Sequence, residues 1–249
     1  MATDLAIHTI VRYEPTLRLI RELSSGELLE VGSAHVGLRG YGLADPGWQV
    51  TVVDKGFDNY GQAPEGSGPE ASDLVVGDAR ELPFGDRAFD VTVALDLLEH
   101  IAPQDRAQVL GELGRVTRER LVVGCPTGSV ALDSDRRLSS SFARRGRPEP
   151  GWLSEHLEAG LPEPEELRKG LERFGAVRLF GNENIAAHER LMWLHTRLGW
   201  SWPVRAAVRL LRAACARRSR LAARTLWLLR GRDRPPVYRT IAVVDITDD

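Results

Sequence analysis

Four short apolar runs, each followed by small or acidic residues, mark the first half of the chain. The runs cover residues 28–31, 50–53, 74–76 and 89–95. Apolar runs of this length, followed by residues that let the backbone turn, predict strands that lead into tight loops. The first half of the chain therefore contains strands separated by connections, as in α/β proteins.

Apolar residues at helical spacing, and further short runs, extend this pattern. Residues 4–23 predict one or two helices, with Pro15 starting the second. Further helices are predicted at 104–116 and 163–174, and further strands at 120–124, 176–180 and 238–246. The polar, arginine-rich segment 129–151 predicts a long connection of the kind that lies over an active site.

Small residues follow the first strand, and carboxylates end or follow the first three. Asp54 lies 24 positions after Glu30, near the spacing at which nucleotide-binding α/β folds place a carboxylate on ribose hydroxyls. The residues that let the backbone turn sharply and approach a ligand are Gly32, Ser33, Ala34 and Gly37. Together they indicate an adenosine-containing ligand.

This part of the chain resembles the class I S-adenosylmethionine-dependent methyltransferases, in the group whose fourth strand leads into a Leu-Glu-His tripeptide. Here the tripeptide is Leu98-Glu99-His100, and the resemblance covers roughly residues 28–130. It implies S-adenosylmethionine as the cofactor. It also implies an α/β, Rossmann-like fold with a seven-stranded, mostly parallel sheet whose last strand is antiparallel.

The resemblance further implies which residues hold the cofactor. Glu30, Gly32 and Ser33 would line its methionine end, Asp54 would take the ribose hydroxyls, and Asp78 with Ala79 would meet the adenine. Ala34, Gly37 and Leu95 complete the expected set. The usual G-x-G-x-G is replaced by residues 32–37, which lack the second glycine and are one residue longer; Ala34 is small enough to preserve the turn.

A nicotinamide-dependent oxidoreductase is the nearest alternative, because it also combines a glycine loop, an acid after the second strand and a parallel sheet. The sequence argues against it. No G-x-G-x-x-G follows the first strand. The only lysines are Lys55 and Lys169, and neither follows a tyrosine by three or four positions.

Composition fits a cytoplasmic protein with one α/β domain and an elaboration. The chain has 249 residues and 43% hydrophobic content, and no window approaches the roughly 18 apolar residues of a membrane span. Cys125 and Cys215 are far apart and belong to no metal-like cluster, so we assign no metal and no disulfide. Cys125 is expected to be a small buried residue rather than a nucleophile.

Three residues near the fourth strand are candidates for catalysis. Asp96, Glu99 and His100 would share one face if a helix began near Asp96. A carboxylate-imidazole cluster there could accept a hydroxyl proton, or hold a divalent metal as the resemblance to ubiquinone-type O-methyltransferases implies. The alternative that we favour is structural, with Glu99 and His100 capping and orienting the loop. His156 is a further candidate base. The alternative is that it caps a helix or lies on the surface without a role in catalysis.

About fifty residues separate the sixth and last predicted strands. Residues 188–234 contain 12 arginines against Glu189 and Asp233, so this segment carries about +10 and the remainder about −12. Its apolar residues predict two or three amphipathic helices. We divide the chain into a methyltransferase domain, residues 1–187 and 235–249, and a basic helical insertion, residues 188–234.

The insertion has three possible uses. The default is a solvated charged face. Contact with anionic lipid, placing the protein at the inner face of the membrane, comes next because tryptophans among arginines suit the headgroup region. Nucleic acid is disfavoured, since the Asn or Asp-Pro-Pro-aromatic tetrapeptide of base amino-methyltransferases is absent.

We expect O-methylation of a sugar or glycolipid hydroxyl. Residues 155–162 resemble a pattern found in methyltransferases near bacterial polysaccharide and glycolipid assembly, which points to a small-molecule, saccharide or lipid-linked acceptor. One alternative is methylation of RNA or of a small metabolite. Another is a non-catalytic protein that binds the cofactor and docks a partner through the insertion. The sequence does not indicate an oligomeric state.

Overall fold

One seven-stranded sheet forms the centre of the protein in a computed structural model that describes residues 7–33, 37–38, 47–56, 74–198, 202–217 and 219–247. The strands are β1 (Gly26–Val31), β2 (Trp48–Asp54), β3 (Leu74–Val76), β4 (Phe89–Leu95), β5 (Thr117–Pro126), β6 (Val177–Asn184) and β7 (Val237–Asp245). Their order is β3-β2-β1-β4-β5-β7-β6, and β7 pairs antiparallel with both β5 and β6. The expected fold class is confirmed.

Helices cover both faces of this sheet. They are α1 (Ile7–Ile20), α2 (Arg106–Val116), α3 (Gly128–Arg144), α4 (Gly151–Ala159), α5 (Pro164–Leu171), α6 (Ile185–Leu198), α7 (Trp202–Ala216) and α8 (Arg220–Leu229). Short 3-10 turns occur at Leu98–His100, Pro103–Asp105, Glu172–Phe174 and Gly231–Asp233. Among the described helices, none combines the length and hydropathy needed to cross a membrane.

Alternate residues of each strand enter different halves of the core, as the period of two in a strand requires. Val91 and Val93 of β4 pack on the side covered by α1, α6, α7 and α8. Ala94 packs on the opposite side, which α2 and α5 cover. The three helices between β6 and β7 are therefore part of the main hydrophobic core, where Leu226 of α8 is completely buried.

The prediction of a long connection over residues 129–151 was wrong, because α3 occupies most of it. Ala131, Ser134 and Asp135 are buried at helical spacing. Asp135 accepts hydrogen bonds from His156 and Tyr238, so the buried face of this helix is partly polar and apolar periodicity does not reveal it. Pro15 lies inside α1 and does not start a second helix.

The strand order reverses between β1 and β4. In open α/β sheets, ligands bind in the crevice at the carboxyl ends of the strands where such a reversal occurs. Here β1 ends at Val31 and β4 at Leu95, two neighbouring strands in the sheet. We call the region formed by the carboxyl ends of β1, β2 and β4 the carboxyl edge.

Two substitutions on α8 test whether the inserted helices stabilise the domain. Leu226 is 0% exposed, whereas Leu221 is 75% exposed. We expect Leu226→Ala to lower the free energy of unfolding by about 2–5 kcal/mol, because it leaves a cavity in the core. Leu221→Ala should change it by less than about 0.5 kcal/mol. Urea unfolding measures both, and equally small effects would mean that α8 does not contribute to the core.

Candidate active site

The turn after β1 is held against the turn after β4. Gly32 has φ 79°, a left-handed conformation that glycine adopts at little cost, and its N–H donates to the carbonyl oxygen of Val53 over 2.9 Å. A Cβ at this position would lie 2.8 Å from Cδ1 of Leu97. Glycine therefore lets the two turns meet closely at the carboxyl edge.

Glu30 is a buried carboxyl group at the end of β1, with both oxygens hydrogen bonded. The hydroxyl of Tyr13 donates to Oε1 over 2.8 Å, and the N–H of Leu38 donates to Oε2 over 2.7 Å. A Cβ at Gly37 would lie 2.0 Å from Oε2, so the carboxyl group occupies the space of a side chain there. Burial raises the pKa of Glu30 to about 7, although both hydrogen bonds oppose the rise.

Two further carboxylates lie at or just after the carboxyl ends of β2 and β3. Asp54 ends β2, and its Oδ1 accepts a hydrogen bond from the N–H of Gly56 over 3.2 Å. Asp78 lies after β3, 2.7 Å from Arg80 and 3.5 Å from Lys55. Hydrogen bonds from the side chain and backbone of Arg80 hold the pKa of Asp78 well below its usual range. Asp78 is thus a permanent anion beside the position expected for the adenine.

The other residues expected to hold the cofactor lie in the core or in the turn after β1. Ala79 and Leu95 are buried in the core, and their side chains are apolar. Ser33 follows Gly32 directly in the turn after β1, and Ala34 lies outside the described residues.

Asp96 is fixed between two arginines from distant parts of the chain. Its carboxylate lies 2.6 Å from Arg12 of α1 and 2.7 Å from Arg239 of β7. Burial raises the pKa of Asp96, but the two positive charges outweigh it and hold the pKa well below its usual range. A carboxylate that is so strongly stabilised as an anion is a poor proton acceptor.

The expected grouping of Asp96 with Glu99 and His100 on one helical face was wrong. Asp96 has φ 50°, a left-handed conformation that ends the strand, and the helical turn spans only Leu98–His100. Arg106 fixes this turn by donating to the carbonyl oxygens of Leu98 and Ile101, each over 3.1 Å. The turn directs Glu99 and His100 toward His156 of α4.

Glu99, His100 and His156 form the main titratable cluster near β4. Each offers one nitrogen or oxygen atom, and these three atoms lie within 4.8 Å of one another. Glu99 is 1% exposed and His156 3%, whereas the side chain of His100 is 30% exposed. The cluster therefore has a buried base and opens to solvent at His100.

A carboxylate anchors each of the two histidines. Nδ1 of His100 lies 2.5 Å from Oε2 of Glu155, and Nδ1 of His156 lies 2.9 Å from Oδ2 of Asp135. The hydroxyl of Tyr238 donates to the other oxygen of Asp135 over 2.9 Å. Because an ionised carboxylate only accepts hydrogen bonds, each ring donates through Nδ1, and in the neutral form of the ring Nε2 carries the lone pair.

Electrostatics differ among the members of the cluster. Burial and the nearby charge of Asp96 raise the pKa of Glu99 well above its usual value. Burial and the neighbouring His156 lower the pKa of His100, although Glu155 opposes this change. Cys125 is also completely buried, which raises the pKa of its thiol and leaves it unsuited to act as a nucleophile.

The sequence analysis missed the residues that orient this site. Arg12 and Arg239 lie 84 and 143 positions from Asp96, and no local pattern connects them. Asp135 fell in the segment predicted to be a connection. Among these partners, only Glu155 had a local signal, because it is a carboxylate directly before His156 in the sequence. Its contact in the folded protein is with His100.

Comparison with known proteins identifies the family. Residues 29–120 match the sequence model of a family described as a methyltransferase domain. The fold is similar to that of the PH0226 protein from Pyrococcus horikoshii OT3, with a TM-score of 0.51, 17% identity, and coverage of 99% of this chain and 96% of that chain. It is also similar to the plantazolicin methyltransferase BpumL in complex with SAH, with a TM-score of 0.58, 11% identity, and coverage of 97% and 85%.

A search of curated protein sequences gives no match. The matched segment spans β1 to the start of β5, which includes the carboxyl edge and the Leu98–His100 turn. Taken with the strand order and the antiparallel β7, this match shows that the chain contains a class I S-adenosylmethionine-dependent methyltransferase domain, with S-adenosylmethionine as its cofactor.

Proposed function

We propose that the protein transfers the methyl group of S-adenosylmethionine to a hydroxyl oxygen of a saccharide or glycolipid. The observation that carries this proposal is the cluster of Glu99, His100 and His156 beside the end of β4. In the reaction, the O–C bond forms while the C–S bond breaks and its electron pair returns to sulfur. The hydroxyl proton must also leave, so this acceptor needs a group that assists its removal.

The cluster suits that role because its geometry is fixed before an acceptor binds. Glu155 and Asp135 hold the two imidazole rings through Nδ1, so the second nitrogen of each ring has a defined direction. Groups that are oriented in advance lose little free energy in reorganisation during the reaction. His100, the most exposed of the three, is where an acceptor would enter.

A sugar acceptor is supported by the polar entrance to the cluster. Glu155 lies beside His100 with its side chain 59% exposed. Carboxylates readily accept hydrogen bonds from sugar hydroxyls. Residues 155–162, the segment that resembles methyltransferases of polysaccharide and glycolipid assembly, begin at this residue. A sugar hydroxyl is therefore the first acceptor class to screen.

The exposed faces of α6, α7 and α8 support docking on an anionic membrane. On α8, Leu221 is 75% exposed, Trp227 40% and Leu228 48%, and the exposed Arg220 and Arg224 lie on the same face at helical spacing. Large apolar side chains interleaved with arginines suit the lipid headgroup region, where each arginine contributes about 1 kcal/mol with anionic lipid.

The same composition occurs on the two preceding helices. Trp193 of α6 is 49% exposed beside the exposed Arg190, and Leu210 of α7 is 73% exposed beside the exposed Arg209. Arginines exceed acids by ten over residues 188–234, which favours a partner of opposite charge. Attachment to a bilayer would bring the protein close to a lipid-linked glycan.

Glu30 should couple cofactor binding to pH. The cofactor carries a sulfonium and an ammonium group, which favour an ionised carboxylate at the methionine end. Because the pKa of Glu30 is about 7 in the free protein, binding below pH 7 must release a proton, and the affinity should fall as pH falls. Above pH 7 the carboxylate is already ionised, so this contribution to the affinity is constant.

Calorimetric titrations with S-adenosylmethionine between pH 5.5 and 7.5 measure this effect. We expect the affinity to rise with pH, by at most about tenfold per pH unit. The Glu30→Gln variant should lose this pH dependence of the affinity. Only the pH dependence that comes from the amino group of the cofactor itself should remain. Identical pH profiles for the two proteins would show that Glu30 does not face the cofactor.

His100→Gln tests the role of the cluster in turnover. Transfer of a labelled methyl group to a panel of hexose, deoxyhexose and uronic acid glycosides measures activity. We expect the rate to fall by about 100-fold or more, because the group that assists proton removal is lost. The Kd for S-adenosylmethionine should change by less than about threefold, because the substituted residue lies where the acceptor is proposed to bind.

Glu158→Gln is the control, because Glu158 is an exposed residue of the same α4 helix that carries Glu155. This variant should retain both activity and affinity. Unchanged turnover in His100→Gln would refute a role in the reaction, and parallel losses of turnover and cofactor binding would indicate a structural role instead.

Vesicle flotation tests the membrane contact. We expect the protein to float with vesicles containing phosphatidylglycerol, to stay behind with pure phosphatidylcholine, and to detach as salt is raised. Replacing Leu221 and Trp227 by serine should reduce flotation several-fold, because roughly 2–3 kcal/mol of apolar transfer is lost. Phe180→Ser, which removes an aromatic side chain 42% exposed on β6, should not change it. Equal flotation of the two variants would place the contact elsewhere.

A further inference from the structure

We propose that Glu99, His100 and His156 bind a divalent transition-metal cation. The three residues bring one carboxylate and two imidazoles together, and one ligand atom of each lies within 4.8 Å of the others. A set of two histidines and one carboxylate holds first-row divalent metals and leaves other coordination positions open. Asp96 is not part of the set, because both of its oxygens bind arginines.

The first observation that points to a cation is an unpaired oxygen. Within the described part of the chain, Oε2 of Glu99 is buried and has no hydrogen-bond partner. A buried carboxylate oxygen without a partner costs free energy, so such atoms usually have a role. This oxygen belongs to the residue at the bottom of the cluster, where a cation would satisfy it.

The second observation is the orientation of the histidines. Metal-binding histidines typically donate the N–H that does not face the metal to a carboxylate, which fixes the tautomer and strengthens the ligand. Both rings have this arrangement, since Nδ1 of His100 contacts Glu155 and Nδ1 of His156 contacts Asp135. In the neutral ring, each Nε2 is therefore a lone-pair donor of defined direction.

The support behind His156 is itself fixed. Asp135 is 0% exposed and also accepts a hydrogen bond from Tyr238, whose ring stacks on His188 with centroids 3.6 Å apart. The ligand on this side cannot move far. The side chains of His100 and Glu155 are more exposed, so they can shift toward a cation.

The spacing suits a metal after a small contraction. With metal–ligand distances of about 2.1 Å, the ligand atoms of a tetrahedral site lie about 3.4 Å apart. The upper limit of 4.8 Å therefore requires these atoms to approach by at most about 1.4 Å, within the reach of a side-chain rotation of His100 or Glu99. Nitrogen ligands favour Mn²⁺, Fe²⁺, Co²⁺ or Zn²⁺ over Mg²⁺.

A cation here would define how the acceptor is activated. An open coordination position would take the acceptor oxygen, and the positive charge would lower the pKa of its hydroxyl group, so the proton could pass to water as the methyl group arrives. This role rests on the proposed transfer to a hydroxyl, whereas binding of the cation does not.

Mn²⁺ binding to EDTA-treated, full-length protein tests the site directly. Electron paramagnetic resonance measures the free Mn²⁺, and we expect one saturable site per chain in the absence of cofactor and acceptor. Co²⁺ should bind to the same site and give a visible absorption band characteristic of nitrogen ligands. Absence of a saturable site for both probes would overturn the proposal.

Two matched pairs of variants assign the site. Glu99→Gln removes a ligand, and Glu165→Gln removes a similar charge from an exposed position on α5. Glu155→Gln removes the anchor of His100, and Glu158→Gln changes the same helix at an exposed position. We expect the first variant of each pair to weaken Mn²⁺ binding by about tenfold or more, and the second to leave it unchanged. Equal affinity within both pairs would refute the assignment.

The outcomes separate this inference from the proposed function. A chain that binds Mn²⁺ through Glu99 but methylates no hydroxyl would keep the cation site and contradict the proposed reaction. Full-rate methylation in EDTA by a chain that binds neither probe would support the reaction and refute the cation site.

Discussion

The charge of Asp96 is the constraint on which the carboxyl edge depends. The residue follows β4 in a left-handed conformation, where its largely buried carboxylate must be compensated by nearby positive charge. Arg12 and Arg239 supply that compensation from α1 and β7. Removing one partner of a buried charge leaves the other uncompensated, which is far more costly than the net value of the pair. The position of the turn that carries Glu99 and His100 follows from this arrangement.

Helix α1 joins this constraint to the rest of the fold through three consecutive residues. Arg12 binds Asp96, Tyr13 binds Glu30, and Glu14 binds Arg230 just after α8. Successive residues of a helix point in directions about 100° apart, so one turn of α1 can reach two strand ends and the inserted helices. Side chains of a single helix therefore contact both the strand ends expected to hold the cofactor and the basic insertion.

The sequence predicted the seven strands and the antiparallel direction of the last one, because apolar runs and turn residues are local signals and the family pattern supplies the topology. It predicted two or three helices in the insertion for the same reason. It did not predict α3, whose buried face includes Ser134 and Asp135, nor the partners of His100 and His156. Buried polar contacts between residues far apart in sequence leave no periodic signature, so only the folded structure groups Glu99 with both histidines.

The late position of β7 in the sequence affects how the protein is synthesised. The ribosome makes Arg12 and Asp96 long before Arg239 and Tyr238, which complete the environments of Asp96 and Asp135. Until β7 inserts between β5 and β6, a nascent chain has the strands of a cofactor site, but Asp96 lacks one of its two arginine partners. The arginine and tyrosine contacts of the site are therefore complete only after β7 has been made and has paired with its two neighbours.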